Sequence, residues 1–290
     1  MRVQVNVEER RLSLSNLDKV MYPAVGFTKG QVIDYYTRIA PVLLPHLRDR
    51  PLTMKRYPDG VEGQFFYEKR IPSHAPEWVR RERVGKIEYI VCDELPTLVW
   101  LANLADLELH PSLSLVDDEN RPTVMAFDLD PGPPAGLTEC CEVAVLLRDA
   151  LSQLGLESFP KTSGSKGIQV YVPLNVEQID YDHGTKALSK ALARLLEAQH
   201  PKLIVSQQRK ELRRGKVLID WSQNDENKTT VCVYSLRARE RPTVSTPLRW
   251  EELDDPDSLV FEASDVLERV EEHGDLFAPV VELRQELPDL

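Results

Sequence analysis

Apolar and polar positions along this chain alternate in two rhythms. Thr123-Val124-Met125-Ala126-Phe127-Asp128-Leu129-Asp130-Pro131-Gly132 is a short, partly β-branched apolar run bounded by turn formers, the pattern of a buried strand. Val217-Leu218-Ile219-Asp220 repeats that design, and Val231 to Leu236 reads as one more strand. Leu52 to Tyr57 and Gln64 to Glu68 read as strands joined by the turn Pro58-Asp59-Gly60, and Lys86 to Cys92 alternates like another. Ser158 to Leu174 reads as two strands flanking a Gly-Ser-Lys-Gly turn. Helical spacing appears from Val32 to Ile39 after a capping box at Thr28-Lys29-Gly30-Gln31, with Pro41 and Pro45 expected to kink or end that helix. It recurs at Leu98 to Leu109 after Pro96, ending at His110-Pro111, then at Thr138 to Leu154 and Tyr181 to His200. Leu14 to Pro23 reads as a short helical turn. Strands alternating with helices predict a mixed α/β fold.

A chain of 290 residues can bury a substantial core. Motifs spread from Lys19 to Arg237 predict that residues 1–290 fold as one unit with a central cleft, residues 251–290 forming an acidic C-terminal segment of short helices. No apolar run approaches a membrane span, and the charged N-terminus lacks the apolar core of a signal peptide. Cys92, Cys140, Cys141 and Cys232 form no C-x-x-C pair, so a reducing cytoplasm is the expected compartment.

The formal charge of −11 argues against nucleic acid only until its distribution is read. Glu251 to Leu290 holds 14 acidic and 2 basic residues, whereas the first 250 residues carry 34 basic against 33 acidic. Arg48 to Lys86 has 10 basic and 6 acidic residues, and Lys202 to Arg249 has 11 and 5. A basic surface on an acidic protein is compatible with these numbers, as is ordinary solvation of exposed faces.

Asp128 and Asp130 share one face of their strand, because side chains alternate. Two adjacent carboxylates suit a shared divalent cation, though Asp-Pro-Gly is also good β-turn chemistry, and the pair alone leaves both readings open. Asp220 is the natural third ligand. Lys29 falls in the first turn of a helix, where the dipole disfavours a cation; a bound anion is one reason to place it there, and a solvated side chain is the plainer one. Adjacent phenylalanines on a strand face opposite sides, so either Phe65 or Phe66 is expected at the surface, where an aromatic beside Lys55, Arg56, Lys69 and Arg70 suits base stacking. The alternative buries one in the core and the other under a loop.

The motifs Phe127-Asp128-Leu129-Asp130-Pro131-Gly132, Thr162-Ser163-Gly164-Ser165-Lys166-Gly167, Asp220-Trp221-Ser222-Gln223-Asn224 and Tyr234-Ser235-Leu236-Arg237 occur in that order. Together with Asp18-Lys19-Val20, Thr28-Lys29 and Phe65-Phe66-Tyr67-Glu68-Lys69, they make the chain resemble the polymerase domain of bacterial ligase D, a non-homologous end-joining polymerase of the archaeo-eukaryotic primase superfamily. The resemblance runs from about Leu12 to the acidic tail and suggests a stand-alone member. It implies a primase-like catalytic domain with central antiparallel sheets flanked by helices. It also implies a template-dependent nucleotidyltransferase that fills gaps or extends DNA ends, often preferring ribonucleotides and manganese.

By the same resemblance Asp128, Asp130 and Asp220 would hold two Mn²⁺ or Mg²⁺ ions. Ser163, Lys166, Arg213 and Arg237 would grip the NTP or dNTP triphosphate, with His110 and Gln223 near the nucleotide. Lys19 and Lys29 would bind a 5′-phosphate, and Phe65 and Phe66 would stack on bases. An ATP-dependent DNA ligase and Ku are the implied partners, association with the nucleoid is implied, and no membrane is involved. The family pattern Ser-Gly-x-Lys-Gly-Leu-His carries a histidine where this chain has Gln169, which predicts weaker triphosphate binding, slower turnover or compensation by a neighbour. The rival readings are an end-binding module that recruits a ligase, a metal-dependent hydrolase and a primase.

Overall fold

The computed structural model describes residues 2–288. Its contacts sort into two compact units, each assembled from three segments of the chain. The first comprises the chain up to Ser112, Val231–Ser245 and Phe261–Asp275; the second comprises Leu113–Thr230, Thr246–Val260 and the chain from Leu276.

The first unit opens with the antiparallel hairpin β1 (Arg2–Val7) and β2 (Arg10–Ser15), followed by the short pair β3 (Val20–Tyr22) and β4 (Phe27–Thr28). The stretch expected to be a helical turn is therefore strand, turn, strand. Leu12 and Leu14 alternate into the core, and Asn16 takes a left-handed φ of 54° that ends β2. Helix α1 (Lys29–Leu47) starts at the expected capping box, with Thr28 Oγ1 accepting the Gln31 N–H at 3.3 Å and the Gln31 side chain accepting the Thr28 N–H at 2.8 Å. It does not stop at Pro41 or Pro45 but runs on to Leu47, because burial of Leu43 and Leu47 outweighs the lost backbone bonds.

Strands β5 (Leu52–Arg56), β6 (Phe66–Glu68), β7 (Arg81–Val84), β8 (Ile87–Ile90) and β9 (Asp106–Pro111) form one sheet, in which β9 also pairs with β5. Helix α2 (Leu95–Asn103) is shorter than its apolar run. Ala105 turns the chain with φ 59°, so Leu107 to His110 lies on a strand, and His110 is no helix cap. Val231 to Leu236 is not a regular strand either. Tyr234 adopts φ 65°, and the backbone bonds of the segment go to Leu109 and Ser245 instead of a ladder.

In the second unit a small hairpin, β10 (Ser114–Leu115) and β11 (Asp118–Pro122), leads into β12 (Val124–Pro131). Strand β12 is the middle of a five-stranded sheet completed by β13 (Phe159–Thr162), β14 (Ile168–Pro173), β15 (Ile204–Val205) and β16 (Val217–Asp220), in the order β13-β14-β12-β16-β15. All pairings are antiparallel except β15 with β16. Helices α3 (Leu137–Gln153) and α4 (Lys186–Gln199) pack on this sheet. Met125, Phe127 and Leu129 are fully buried on one face of β12, and the carboxylates alternate onto the other. The acidic C-terminal segment forms the expected short helices and contributes buried Leu253, Val266, Phe277 and Val280, so it completes both cores.

Among the described residues, no helix is long and apolar enough to cross a membrane, and the four cysteines are buried and form no disulfide.

Candidate active site

Register puts the chemistry of the second unit in a row. Asp128 on β12 lies opposite Gln169 on β14 and opposite Asp220 on β16, and Gln169 lies opposite Lys161 on β13. Cross-strand partners share a face, so Lys161, Gln169, Asp128 and Asp220 line one side of four adjacent strands, with Asp130 two residues along. Lys161 Nζ donates to Gln169 Oε1 at 2.5 Å, and Gln169 Nε2 donates to Asp128 Oδ1 at 3.1 Å. Asp220 Oδ1 accepts from the backbone N–H and the hydroxyl of Ser222 at 2.9 and 2.6 Å, and its Oδ2 accepts Gln223 Nε2 at 2.9 Å. Asp130 pairs with Arg213, Nη1 to Oδ2 at 3.3 Å.

Glycine permits this closeness. A Cβ on Gly132 would sit 2.0 Å from the Arg213 carbonyl oxygen, and one on Gly167 would sit 2.0 Å from that of Leu129. Ser163 Oγ accepts the N–H groups of Ser165 and Gly167, which fixes the turn that carries exposed Lys166.

Burial, and then the charges of Asp220 and Asp130, push the Asp128 carboxyl up to about 6, against the lowering pull of its Gln169 bond. Such an excess of buried negative charge with oxygen donors suits a hard divalent cation. Among the described residues no group of three or more acidic, histidine or cysteine side chains converges into a finished metal cage. Asp130 is turned toward Arg213, and the oxygens of Asp128 and Asp220 are held by amides and a hydroxyl, all groups that a cation can displace.

The first unit holds a different constellation. Glu108, 2 % exposed, receives Lys55 Nζ at 3.3 Å, His110 Nε2 at 3.0 Å and the Ala238 N–H at 3.0 Å, with Arg237 Nε at 3.5 Å. Burial alone would raise its carboxyl, but the His110 bond and the charges of Arg237 and Lys55 outweigh it and hold Glu108 well below the usual carboxylate range. Burial pushes His110 down while Glu108 pulls it the other way, and facing an ionised carboxylate the Nε2 of His110 is the donor. Lys55 Nζ also lies 4.8 Å from the Phe65 ring centroid and 5.4 Å from those of Tyr57 and Tyr67, an aromatic cage around one cation. Phe65, Phe66 and Tyr67 are 48 %, 45 % and 60 % exposed. The expectation of one exposed phenylalanine is thus exceeded by two further rings, because this short strand lies at the edge of its sheet.

Lys19 and Lys29 are neighbours. The Lys29 N–H donates to the Lys19 carbonyl at 2.8 Å, and Lys19 Nζ pairs with Asp59 at 2.8 Å. Lys29 does not wave in solvent: it is 6 % exposed and donates to the Ser15 carbonyl at 2.7 Å. Burial, then the charges of Lys19 and Arg56, lower its ammonium to about 8.

Thus Asp128, Asp130, Asp220, Gln169, Gln223, Arg213, Ser163 and Lys166 belong to the second unit, and His110, Arg237, Phe65, Phe66, Lys19 and Lys29 to the first. Sequence reasoning missed Lys161, Glu108 and Tyr67. Lys161 becomes visible only through β13–β14 register, and Glu108 only once its segment is read as strand.

The model of the LigD primase-polymerase domain family matches residues 28–277. The multifunctional non-homologous end joining protein LigD of Mycolicibacterium smegmatis is 44 % identical over 276 residues, and the bifunctional LigD of Bacillus subtilis is 33 % identical over 265. These alignments cover 93 % and 91 % of this chain but 36 % and 43 % of those relatives, so the chain spans well under half their length. A solved structure, the polymerase domain from Mycobacterium tuberculosis ligase D in complex with DNA, superposes with a TM-score of 0.88 at 41 % identity, over 96 % of this chain and all of that one. The chain belongs to the LigD primase-polymerase domain family, and on that ground it is an enzyme of the primase-polymerase type, a nucleotidyltransferase.

Proposed function

We propose that this chain is a template-dependent DNA repair polymerase that fills short gaps or extends broken ends by two-metal phosphoryl transfer, with ribonucleotides as preferred substrates. The observation that carries the reading is the opposition of Asp128 and Asp220 across β12 and β16, with Asp130 beside them. Phosphoryl transfer asks a protein for positioning and charge neutralisation more than for covalent chemistry. Bound at Asp128, Asp130 and Asp220, Mn²⁺ or Mg²⁺ would supply charge neutralisation at the attacking hydroxyl and the leaving pyrophosphate. Ser163, Lys166, Arg213, Gln223 and Gln169 present donors from the same unit for a triphosphate. His110 and Arg237 are assigned to the nucleotide, Phe65 and Phe66 to stacking, and a ligase and Ku to the role of partners.

Single-nucleotide incorporation on a gapped DNA with Mn²⁺ tests this, comparing NTPs with dNTPs and a 5′-phosphate with a 5′-hydroxyl. Templated addition that the 5′-phosphate improves is the expected result. Phosphate-dependent DNA binding without incorporation under either metal would favour an end-binding module.

The two lysines carry a further expectation. Lys29 is charged below about pH 8 and neutral above it. The preference for 5′-phosphorylated gaps, measured as a ratio of dissociation constants, should therefore shrink about tenfold between pH 7 and 9. Lys29→Met should remove most of it at any pH. A preference unchanged up to pH 9.5 would disprove the role.

Gln169→His should improve incorporation, since a neutral imidazole can accept from Lys161 at one nitrogen and donate to Asp128 from the other, and a protonated one gives up the Lys161 bond but adds a positive charge for the triphosphate. Steady-state kinetics with an NTP series checks this, and an unchanged or lower rate counts against it.

A further inference from the structure

The two opposed carboxylates are held in the same way. Lys161 Nζ donates to Gln169 Oε1, and Gln169 Nε2 donates to Asp128. Lys228 Nζ donates to Ser222 Oγ at 2.6 Å, and Ser222 Oγ donates to Asp220 at 2.6 Å. In each case a lysine sits one neutral side chain behind the carboxylate.

The chemistry of lysine gives this arrangement a direction. An ammonium is a donor only. Facing Oε1, Lys161 fixes which end of the Gln169 amide points at Asp128. Occupying a lone pair of Ser222, Lys228 sends the single hydroxyl proton to Asp220. Each charge also polarises the donor in front of it. A lysine in direct contact would form an ion pair and compete for the oxygens that a cation needs, as Arg213 does at Asp130. A lysine one step back orients the carboxylate and leaves its other lone pairs open.

We infer that Lys161 and Lys228 are positioning residues, each acting through its neutral partner, Gln169 or Ser222, to hold Asp128 or Asp220 in the orientation that binds divalent cations. The inference rests on the metal-binding reading of Asp128 and Asp220. Lys161 is fully buried, and its position behind Gln169 follows from strand register, whereas Lys228 is half-buried on the loop after β16.

The test is the Mn²⁺ dissociation constant, read by electron paramagnetic resonance at fixed pH without nucleotide or DNA. The variants are Lys161→Met, Lys228→Met, Gln169→Leu, Ser222→Ala, the doubles Lys161→Met/Gln169→Leu and Lys228→Met/Ser222→Ala, and Asp128→Asn. Partners that hydrogen-bond metal ligands are typically worth about 10- to 100-fold in affinity, so Gln169→Leu and Ser222→Ala should bind Mn²⁺ at least about tenfold more weakly, and each lysine variant should weaken binding by more than about twofold and by no more than its partner's variant does. Each double should be within about twofold of its Gln169 or Ser222 single, because the lysine acts through that partner. Lysine variants within twofold of wild type, or lysine effects that persist in full in the doubles, overturn the inference and leave the metal reading standing. Wild-type Mn²⁺ binding that Asp128→Asn does not weaken overturns both. If Lys161→Met fails to fold, Lys228→Met, at a half-exposed loop position, decides the matter by the same criteria.

Discussion

Asp128→Asn should lower templated incorporation by roughly a thousandfold, or about 4 kcal/mol of transition-state stabilisation, while making the metal-free protein more resistant to heat. The two effects have one origin. Asp128 lies across from Asp220 with Asp130 nearby, and burial raises its carboxyl to about 6 from an ordinary 3.8. A carboxyl raised on folding costs nothing below its unfolded value, costs progressively more between the two values, and costs in full above the folded one. The gain from asparagine should accordingly be absent near pH 3.5, grow between about 4 and 6, and reach on the order of 2 kcal/mol at pH 8. Mn²⁺ should invert the order by stabilising wild type more than the variant. Thermal unfolding at three pH values, with and without Mn²⁺, measures all of this. A variant that stays active, or that is less stable than wild type in chelator at pH 8, contradicts the assignment.

Glu108→Gln should be the most damaging single change outside the carboxylate row, with a loss of about 3–5 kcal/mol. Glu108 is 2 % exposed and is the shared anion for Lys55 and Arg237. An amide cannot answer those charges, and because the Ala238 N–H uses Oε1 and His110 uses Oε2, it must return a donor to one of the two where an acceptor was. Breaking a buried pair leaves uncompensated charge, which costs more than the pair itself contributes. A loss of this size corresponds to a fall in Tm on the order of 10 °C. Because Glu108 is held below its ordinary value of 4.5, its contribution is complete above that pH and fades as the solution is acidified below it. The deficit of the variant should therefore narrow toward pH 3. Urea titrations at pH 7.5 and 3.5 check both statements, and a loss below about 1 kcal/mol at neutral pH would show that Glu108 is dispensable.

The parts legible in the sequence were those written locally. The capping box before α1, the helix over α3 and the aspartate-ended strands announce themselves within ten residues, and the structure keeps all of them. The misreadings share a cause: long-range context overrode a local pattern. Leu107 to His110 continues an apolar helical run, but Ala105 turns it and β5 offers it a ladder. Val231 to Leu236 has strand composition but spends its polar groups on Leu109 and Ser245. Lys161 carries no motif that singles it out. Its place behind Gln169 depends on a register between β13 and β14 that no single segment contains.

The interleaving of the chain has a practical consequence for dissection. Neither unit is a contiguous piece of sequence, since each is closed by a strap drawn from beyond Thr230 and another from beyond Thr246. No single truncation isolates one of them, and removing the acidic tail strips Val266 from one core and Phe277 and Val280 from the other. An engineer who wanted the carboxylate sheet alone would have to splice three fragments through two invented joints.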